Sequence, residues 1–330
     1  MTDPSQSTTT DALESLTVIS GVRWYHLADP TSPTLDELAK IFGIHPLQVE
    51  DCRHRRQTAR CEEHERYTFV VIKALVDSPA PTGSSDEPDT HPLTNASHLR
   101  FEDFNIFIGS DYVLTVDEGD PHLVAAAVPR LLAEPSLQSP DCIAYALIDA
   151  AVDRYLPALD RLGDIIDHLE DAVIRRPLPT ILREIFRLKR GLLEFRRVAV
   201  GMREAANALL RRYDFQAAAS AHGNRELRLY YRDVYDHIVR AIEFVESYRD
   251  LLTGSLDIYL SAVANRTNEV MKVLTIWGTV ALPLLILTSF YGMNVKLPGQ
   301  DHPLALPLLL LAMGASTAGV IYYFWRKHWF

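Results

Sequence analysis

The chain has 330 residues, a net charge of −10 and 48% hydrophobic side chains, enough for more than one domain. The acidic balance argues against nucleic acid as a partner and favours a surface that concentrates cations. Three cysteines, Cys52, Cys61 and Cys142, do not make a disulfide framework, and the bulk of the chain fits a reducing compartment.

Residues 1 to 14 are polar, acidic and rich in Ser and Thr. They lack the basic start and apolar core of a signal peptide and the arginines of a transit peptide, so a disordered tail and a cytoplasmic N-terminal bulk are expected. Residues 15 to 140 read as a small α/β domain built on a sheet. Strands are expected over Leu16–Ile19, Val22–Tyr25, Arg66–Ala74, Asp103–Ile108 and Tyr112–Val116. Thr34 to Phe42 reads as an amphipathic helix with Thr34 as cap and Glu37 three residues on, and His45 to Asp51 as a second short helix. Residues 78 to 97, full of Pro, Ser, Thr and Asp, read as a flexible loop. Cys52, His54, Cys61 and His64 crowd together, but their spacing matches no usual zinc pattern; packing and surface roles are the plainer reading.

A helical hairpin is expected over residues 141 to 223: one helix from 141 to 174, ended by Pro177, and a basic one from 179 to 213. On the first, Asp149, Asp153, Asp160, Asp164, Asp167 and Asp171 step by 4, 7, 4, 3 and 4 and share one narrow stripe. A solvated face explains such a stripe. So does a face shared with cations, because like charges at this spacing repel.

His222-Gly223-Asn224 breaks the pattern, with Asn224 as cap of a long helix. Apolar residues then recur in steps of three and four from Leu227 through Tyr231, Val234, Ile238, Ile242, Val245, Tyr248, Leu252, Leu256 and Tyr259 to Val263. This is close to a heptad stripe. The stalk so defined, 224 to 272, passes without a breaker into 273 to 295, which holds no charged side chain. Roughly 20 apolar residues cross a bilayer, so this segment reads as a first transmembrane helix. A helix of about 70 residues at ~1.5 Å each is on the order of 100 Å long, too long for one compact domain. The span ends in Tyr291-Gly292-Met293-Asn294. A loop, 296 to 303, leads to a second uncharged run, 304 to 325, closed by Tyr322, Tyr323 and Trp325 as an interfacial belt and followed by a basic tail, 326 to 330. Arg266, Lys272, Arg326 and Lys327 flank the hairpin, so the positive-inside bias puts both ends in the cytoplasm.

No phosphate loop, nucleophile elbow or helical zinc pair appears, so no enzyme is expected. Two spans cannot enclose a wet path alone; a pore needs several copies, each giving one helix. The first span offers a stripe of Asn268, Met271, Thr275 or Leu274, Gly278, Leu282 and Leu285, with Asn294 at its far end. A lining without carboxylates cannot strip a dication of its water, but it can pass the hydrated ion, and its apolar rings at Met271, Leu274 and Leu282 can close by dewetting. Helix packing is the competing reading of this stripe.

Thr267-Asn268-Glu269-Val270-Met271-Lys272-Val273-Leu274-Thr275, Pro283, Tyr291-Gly292-Met293-Asn294, a second span and a basic-aromatic tail together resemble the CorA family of magnesium and cobalt channels. Ile44 to Asp51, Leu147-Ile148-Asp149-Ala150 and Arg232 to His237 extend the resemblance through the chain. It implies an α+β membrane protein with an αβα cytoplasmic domain, a stalk helix continuous with the first of two spans, and a cytoplasmic C-terminus. It further implies a homopentamer in the cell membrane whose partners are its own copies, the lipid bilayer and divalent cations. Its first spans line the pore, and Gly292-Met293-Asn294 forms an outer ring. Asp51 of one subunit with Asp233 of its neighbour, and Glu50 with Asp149, are implied to hold regulatory Mg²⁺, which is also the transported ion; a salt bridge to a nearby arginine is the alternative for Asp51 and Asp233. Two features depart from the family. The loop after the motif reads Leu297-Pro298-Gly299-Gln300 with only Asp301 acidic, and Leu282 and Leu285 stand where a Met and a Thr are usual. The expectation is a passive Mg²⁺ channel, with a zinc-moving relative or a membrane-tethered scaffold as rivals.

Overall fold

The computed structural model describes residues 17–19, 22–54, 57–77, 99–118, 121–133, 139–219, 225–294 and 302–327. The expected tail, the 78 to 97 loop, the Asn224 cap and Asp301 lie outside the described residues. Contacts divide the chain into two units: residues up to 256 without 173–177, and residues 173–177 with 257–330.

The first unit holds a six-stranded sheet, β1 Thr17–Ile19, β2 Val22–Leu27, β3 Arg60–Glu63, β4 Thr68–Asp77, β5 Leu99–Ile108 and β6 Tyr112–Val116, in the order β1-β2-β6-β5-β4-β3. Only β2 and β6 pair in parallel, in the register Trp24 to Val113 and Tyr25 to Leu114; every other pair is antiparallel. Strand β4 reads as a continuous apolar run because Phe69, Val70, Val71 and Ile72 are all buried, which happens when both sheet faces are covered. Helices α1 Pro33–Phe42 and α2 Pro46–Arg53 cover one face, burying Leu35, Leu38, Val49 and Cys52 with Phe69, Phe107 and Leu114. Helices α4 Pro140–Val152 and α6 Pro179–Ala219 also lie against the sheet strands, while α3 Pro121–Ala133 lies against α4.

Local chemistry corrects several expected boundaries. Helix α1 is capped by Ser32, whose hydroxyl accepts from the Thr34 N–H, because Pro33 suits the first helical position. His45 caps α2 through Nδ1. The single helix expected from 141 to 174 is two: α4 ends at a turn over Asp153 and Arg154, and α5 runs Tyr155–Arg175. Pro157 has no N–H to give the Asp153 carbonyl, so the helix restarts with proline in its first turn. The aspartate stripe is therefore split between α4 and α5. Strand β3 and helix α3 were not expected; the first is only four residues long and the second carries an internal Pro129.

Helix α7 runs unbroken over Arg225–Tyr291, 67 residues. Its stripe is buried at Leu227, Tyr231, Val234, Ile238, Val245, Leu252 and Tyr259 and becomes exposed by Val263. Gly163 on α5 leaves room for Tyr248 of α7: an added Cβ would lie 2.5 Å from its hydroxyl oxygen. The second unit contains the remainder of α7 and helix α8, Ala305–Arg326. Both are long and apolar enough to cross a membrane.

One buried ion pair fixes the sheet. Lys73 on β4 and Asp103 on β5 bond directly, with side chains 8% and 10% exposed, and the second Asp103 oxygen accepts the Gln57 N–H at 2.7 Å. Removing one partner strands the other charge, at a cost of about 3–5 kcal/mol. Asp103→Ala should therefore lower the thermal midpoint sharply, and the double change Asp103→Leu with Lys73→Met should recover most of it. Equal midpoints for parent and Asp103→Ala would contradict this.

Candidate functional site

The second unit presents its largest apolar side chains to its surroundings. Val270, Met271, Leu274, Trp277, Leu282, Leu285, Ile286 and Phe290 are all at least half exposed on α7, as are Leu306, Leu308, Leu310 and Leu311 on α8. Such surfaces need lipid or other protein against them. Along α7 the less exposed stripe is Ile276, Val280, Leu284 and Leu287, whereas Asn268, Met271, Leu274, Thr275, Gly278, Leu282 and Leu285 all lie in the open. The stripe expected from the sequence is thus exposed among the described residues.

Hydroxyl groups in this stretch are satisfied without a partner helix. Thr267, Thr275 and Thr279 donate to the carbonyls of Val263, Met271 and Thr275 at 2.7–2.9 Å, and Thr288 donates to that of Leu284. Each oxygen keeps lone pairs that can accept from water. Pro283 sits inside the helix and offers no N–H to the Thr279 carbonyl. A cleft in this unit is lined by Thr275 and Thr279 of α7 and by Ala315, Ser316, Gly319, Val320, Tyr323 and Phe324 of α8. At the end of α7 the Gly292 N–H donates to the Thr288 carbonyl at 2.9 Å. A Cβ at Gly292 would lie 3.0 Å from that same oxygen, so glycine allows the chain to close the last turn tightly. Tyr291, Gly292, Met293 and Asn294 are exposed.

The four acidic residues singled out by sequence fall at two places in the first unit. On α2, Asp51 is held by Arg60 of β3, Nη2 to Oδ2 at 2.6 Å, and Glu50 lies 3.3 Å from His54. On α4, Asp149 is bonded by Arg130, whose other nitrogen is 2.6 Å from Asp153. His237 of α7 lies 3.9 Å from both Asp153 and Asp233. Burial pushes the Asp149 carboxyl up to about 6, helped by Asp153 and Asp233 and opposed by Arg130. Hydrogen bonding to Asp153 is the main reason the Arg130 guanidinium is held above its ordinary value. These carboxylates are hard oxygen donors of the kind Mg²⁺ takes, and Glu50 and Asp233 are each 62% exposed, with imidazole partners among the described residues. Yet among the described residues no group of three or more His, Cys, Asp or Glu is assembled around a metal position.

Sequence reading named the carboxylates but not Arg60, Arg130, Asp153 and His237 as their partners. Arg60 belongs to the unexpected strand β3 and Arg130 to the unexpected helix α3, so neither could be placed. Cys52, His54, Cys61 and His64 do not come together as a ligand set. Cys52 is buried, and desolvation pushes both the Cys52 and Cys61 thiols up to about 12, which suits packing rather than metal binding.

An αβα unit feeding a single helix into an apolar pair ending in Tyr-Gly-Met-Asn defines a two-span membrane transport protein. The family of CorA-like Mg²⁺ transporter proteins matches residues 20–327, and the chain belongs to it. The chain is 32% identical over 299 residues to the cobalt/magnesium transport protein CorA of Thermotoga maritima, covering 89% of this chain and 79% of that one. It is 29% identical to the putative metal ion transporter YfjQ of Bacillus subtilis, over 93% of this chain and 89% of the other. The complete structure of the CorA magnesium transporter from Methanocaldococcus jannaschii shares its fold, with a TM-score of 0.74 over 94% of this chain and 92% of that one at 23% identity.

The raised Asp149 carboxyl has a consequence for stability. Between about pH 4 and about 6 the native state holds a proton that the unfolded chain releases, so this group's contribution falls as pH rises through that window. The gap in thermal midpoint between Asp149→Asn and the parent, in metal-free buffer, should be smallest near pH 4 and widen in the variant's favour by pH 7. An equal gap at both values would contradict the assignment.

Proposed function

We propose that this chain forms a passive channel for divalent cations, Mg²⁺ first, with Co²⁺ and Ni²⁺ as further cargo. The single observation that carries this is the exposed stripe from Asn268 to Leu285 on a helix that carries no charged side chain after Lys272 and leads into Gly292-Met293-Asn294, in a chain of this family. Several copies, five by the resemblance, set their first spans around one path. The Gly292-Met293-Asn294 segments ring its outer mouth, and side-chain amide oxygens of Asn294 accept from the ion's own water. Met271, Leu274 and Leu282 narrow the path to an apolar, dewettable neck.

The basic flanks support a place in the cell membrane with both ends of the hairpin cytoplasmic. No nucleotide is needed: a doubly charged ion crossing about 100 mV gains roughly 4.6 kcal/mol, twice the single-charge value. Asp301 is the remaining acidic residue of the outer loop that can attract cations.

Regulation follows from the cytoplasmic carboxylates. Asp51 and Asp233 on facing subunits, with Glu50 and Asp149 as a second set, repel until a dication joins them. High cytoplasmic Mg²⁺ would then hold the subunits together with the path shut. Met293 in the motif favours Mg²⁺ over a zinc-moving relative.

Asn294→Ala, purified and placed in liposomes, should lose Mg²⁺ flux by at least tenfold while Co²⁺, Ni²⁺ and Zn²⁺ are compared in competition. Undiminished flux in the variant would remove Asn294 from the path, and no Mg²⁺ flux with the parent protein would sink the channel reading in favour of a membrane-tethered scaffold.

A further inference from the structure

Each candidate regulatory place already contains a cation belonging to the chain. Arg60 makes three charge-assisted or polar contacts from one guanidinium: Nη2 to Asp51 at 2.6 Å, Nε to Glu62 at 2.7 Å and Nη1 to Gln57 at 2.6 Å. Its plane is further held over the Phe69 ring, 5.5 Å from the centroid. Arg130 spans two carboxylates, Asp149 and Asp153. In contrast, among the described residues Glu50 and Asp233 have histidine partners, His54 and His237, at 3.3 and 3.9 Å.

A carboxylate oxygen already engaged by a guanidinium is not free for a dication or its bound water. The metal must displace the arginine or settle beside a positive charge, and both routes weaken its binding. Displacement strands neither arginine. Arg60 keeps Glu62 and Gln57 after releasing Asp51, and Arg130 keeps Asp153 after releasing Asp149. The exchange is therefore reversible at low cost, as a sensor requires.

We propose that Arg60 and Arg130 are built-in competitors of the regulatory cation, occupying Asp51 and Asp149 when metal is scarce and raising the Mg²⁺ concentration at which the assembly closes. This rests on the reading of Asp51 and Asp149 as regulatory ligands. On this account the arginines set the threshold, and Glu50 and Asp233 supply the first oxygens to the incoming ion.

The test uses the purified full chain in lipid nanodiscs at pH 8, digested with chymotrypsin while Mg²⁺ is titrated. The readout is the Mg²⁺ concentration giving half-maximal protection, which needs no transport. Arg60→Gln and Arg130→Gln should each lower it about 3- to 10-fold, the effect of removing one partly screened positive charge next to a dication. Arg60→Lys, which keeps the charge but not the fork, should lower it less. In an Asp51→Asn background Arg60→Gln should have a clearly smaller effect than in the parent. An unchanged or higher concentration overturns the proposal at the arginine concerned, and a drop of undiminished size with Asp51→Asn overturns it for Arg60. Asp51→Asn alone leaving protection untouched would instead remove Asp51 from the regulatory site, whatever the arginines do.

Discussion

A chain segment can pass from water into hydrocarbon only if its backbone polar groups are satisfied along its own length. Helix α7 meets that condition with one unbroken run of 67 residues, and every other feature of the chain depends on it. In its water-facing stretch the heptad-like stripe is buried at Leu227, Tyr231, Val234, Ile238, Val245 and Leu252, all in the first unit. Beyond Val263 burial ends, charges disappear after Lys272, and threonine hydroxyls turn back onto carbonyls four residues earlier. These hydroxyls need no neighbouring helix, which leaves the Asn268-to-Leu285 face free for water or for copies of itself. Pro283 is the one place where the helix lacks a donor.

The same helix brings Asp233 and His237 near the Asp149–Asp153 pair on α4. Electrostatics in this region is held close to balance rather than strongly neutralised. Asp149 is pushed toward its neutral form by burial and by two other carboxylates, and only Arg130 opposes this directly, with His237 a weaker help. Asp51 is in a looser situation, part-exposed and paired with an arginine that has two other acceptors. A group balanced in this way responds to a dication over a useful range of concentration, whereas a fully compensated ion pair would not.

Much of this was legible in the sequence, for physical reasons that can be stated. The uncharged runs, the three-and-four periodicity of α7 and the apolar runs of β4 to β6 report burial directly, and each lies close to its observed place. What was missed follows from short or interrupted elements. Strand β3 has four residues with three of them charged, α3 carries Pro129, and the restart of α5 at Tyr155 depends on a proline two residues inside the new helix. The arginines that pair with Asp51 and Asp149 lie in β3 and α3, so the acidic residues were visible while these counterions were not. The split of the aspartate stripe has the same origin: helical spacing was extrapolated through a turn that only the missing N–H of Pro157 explains.

The central claim is that one chain supplies one wall of a path that only several copies can enclose. The native mass of the purified protein in lipid nanodiscs tests this most directly. The account predicts a single discrete species with the mass of five chains; a species carrying one chain, in lipid as well as in detergent, would contradict it.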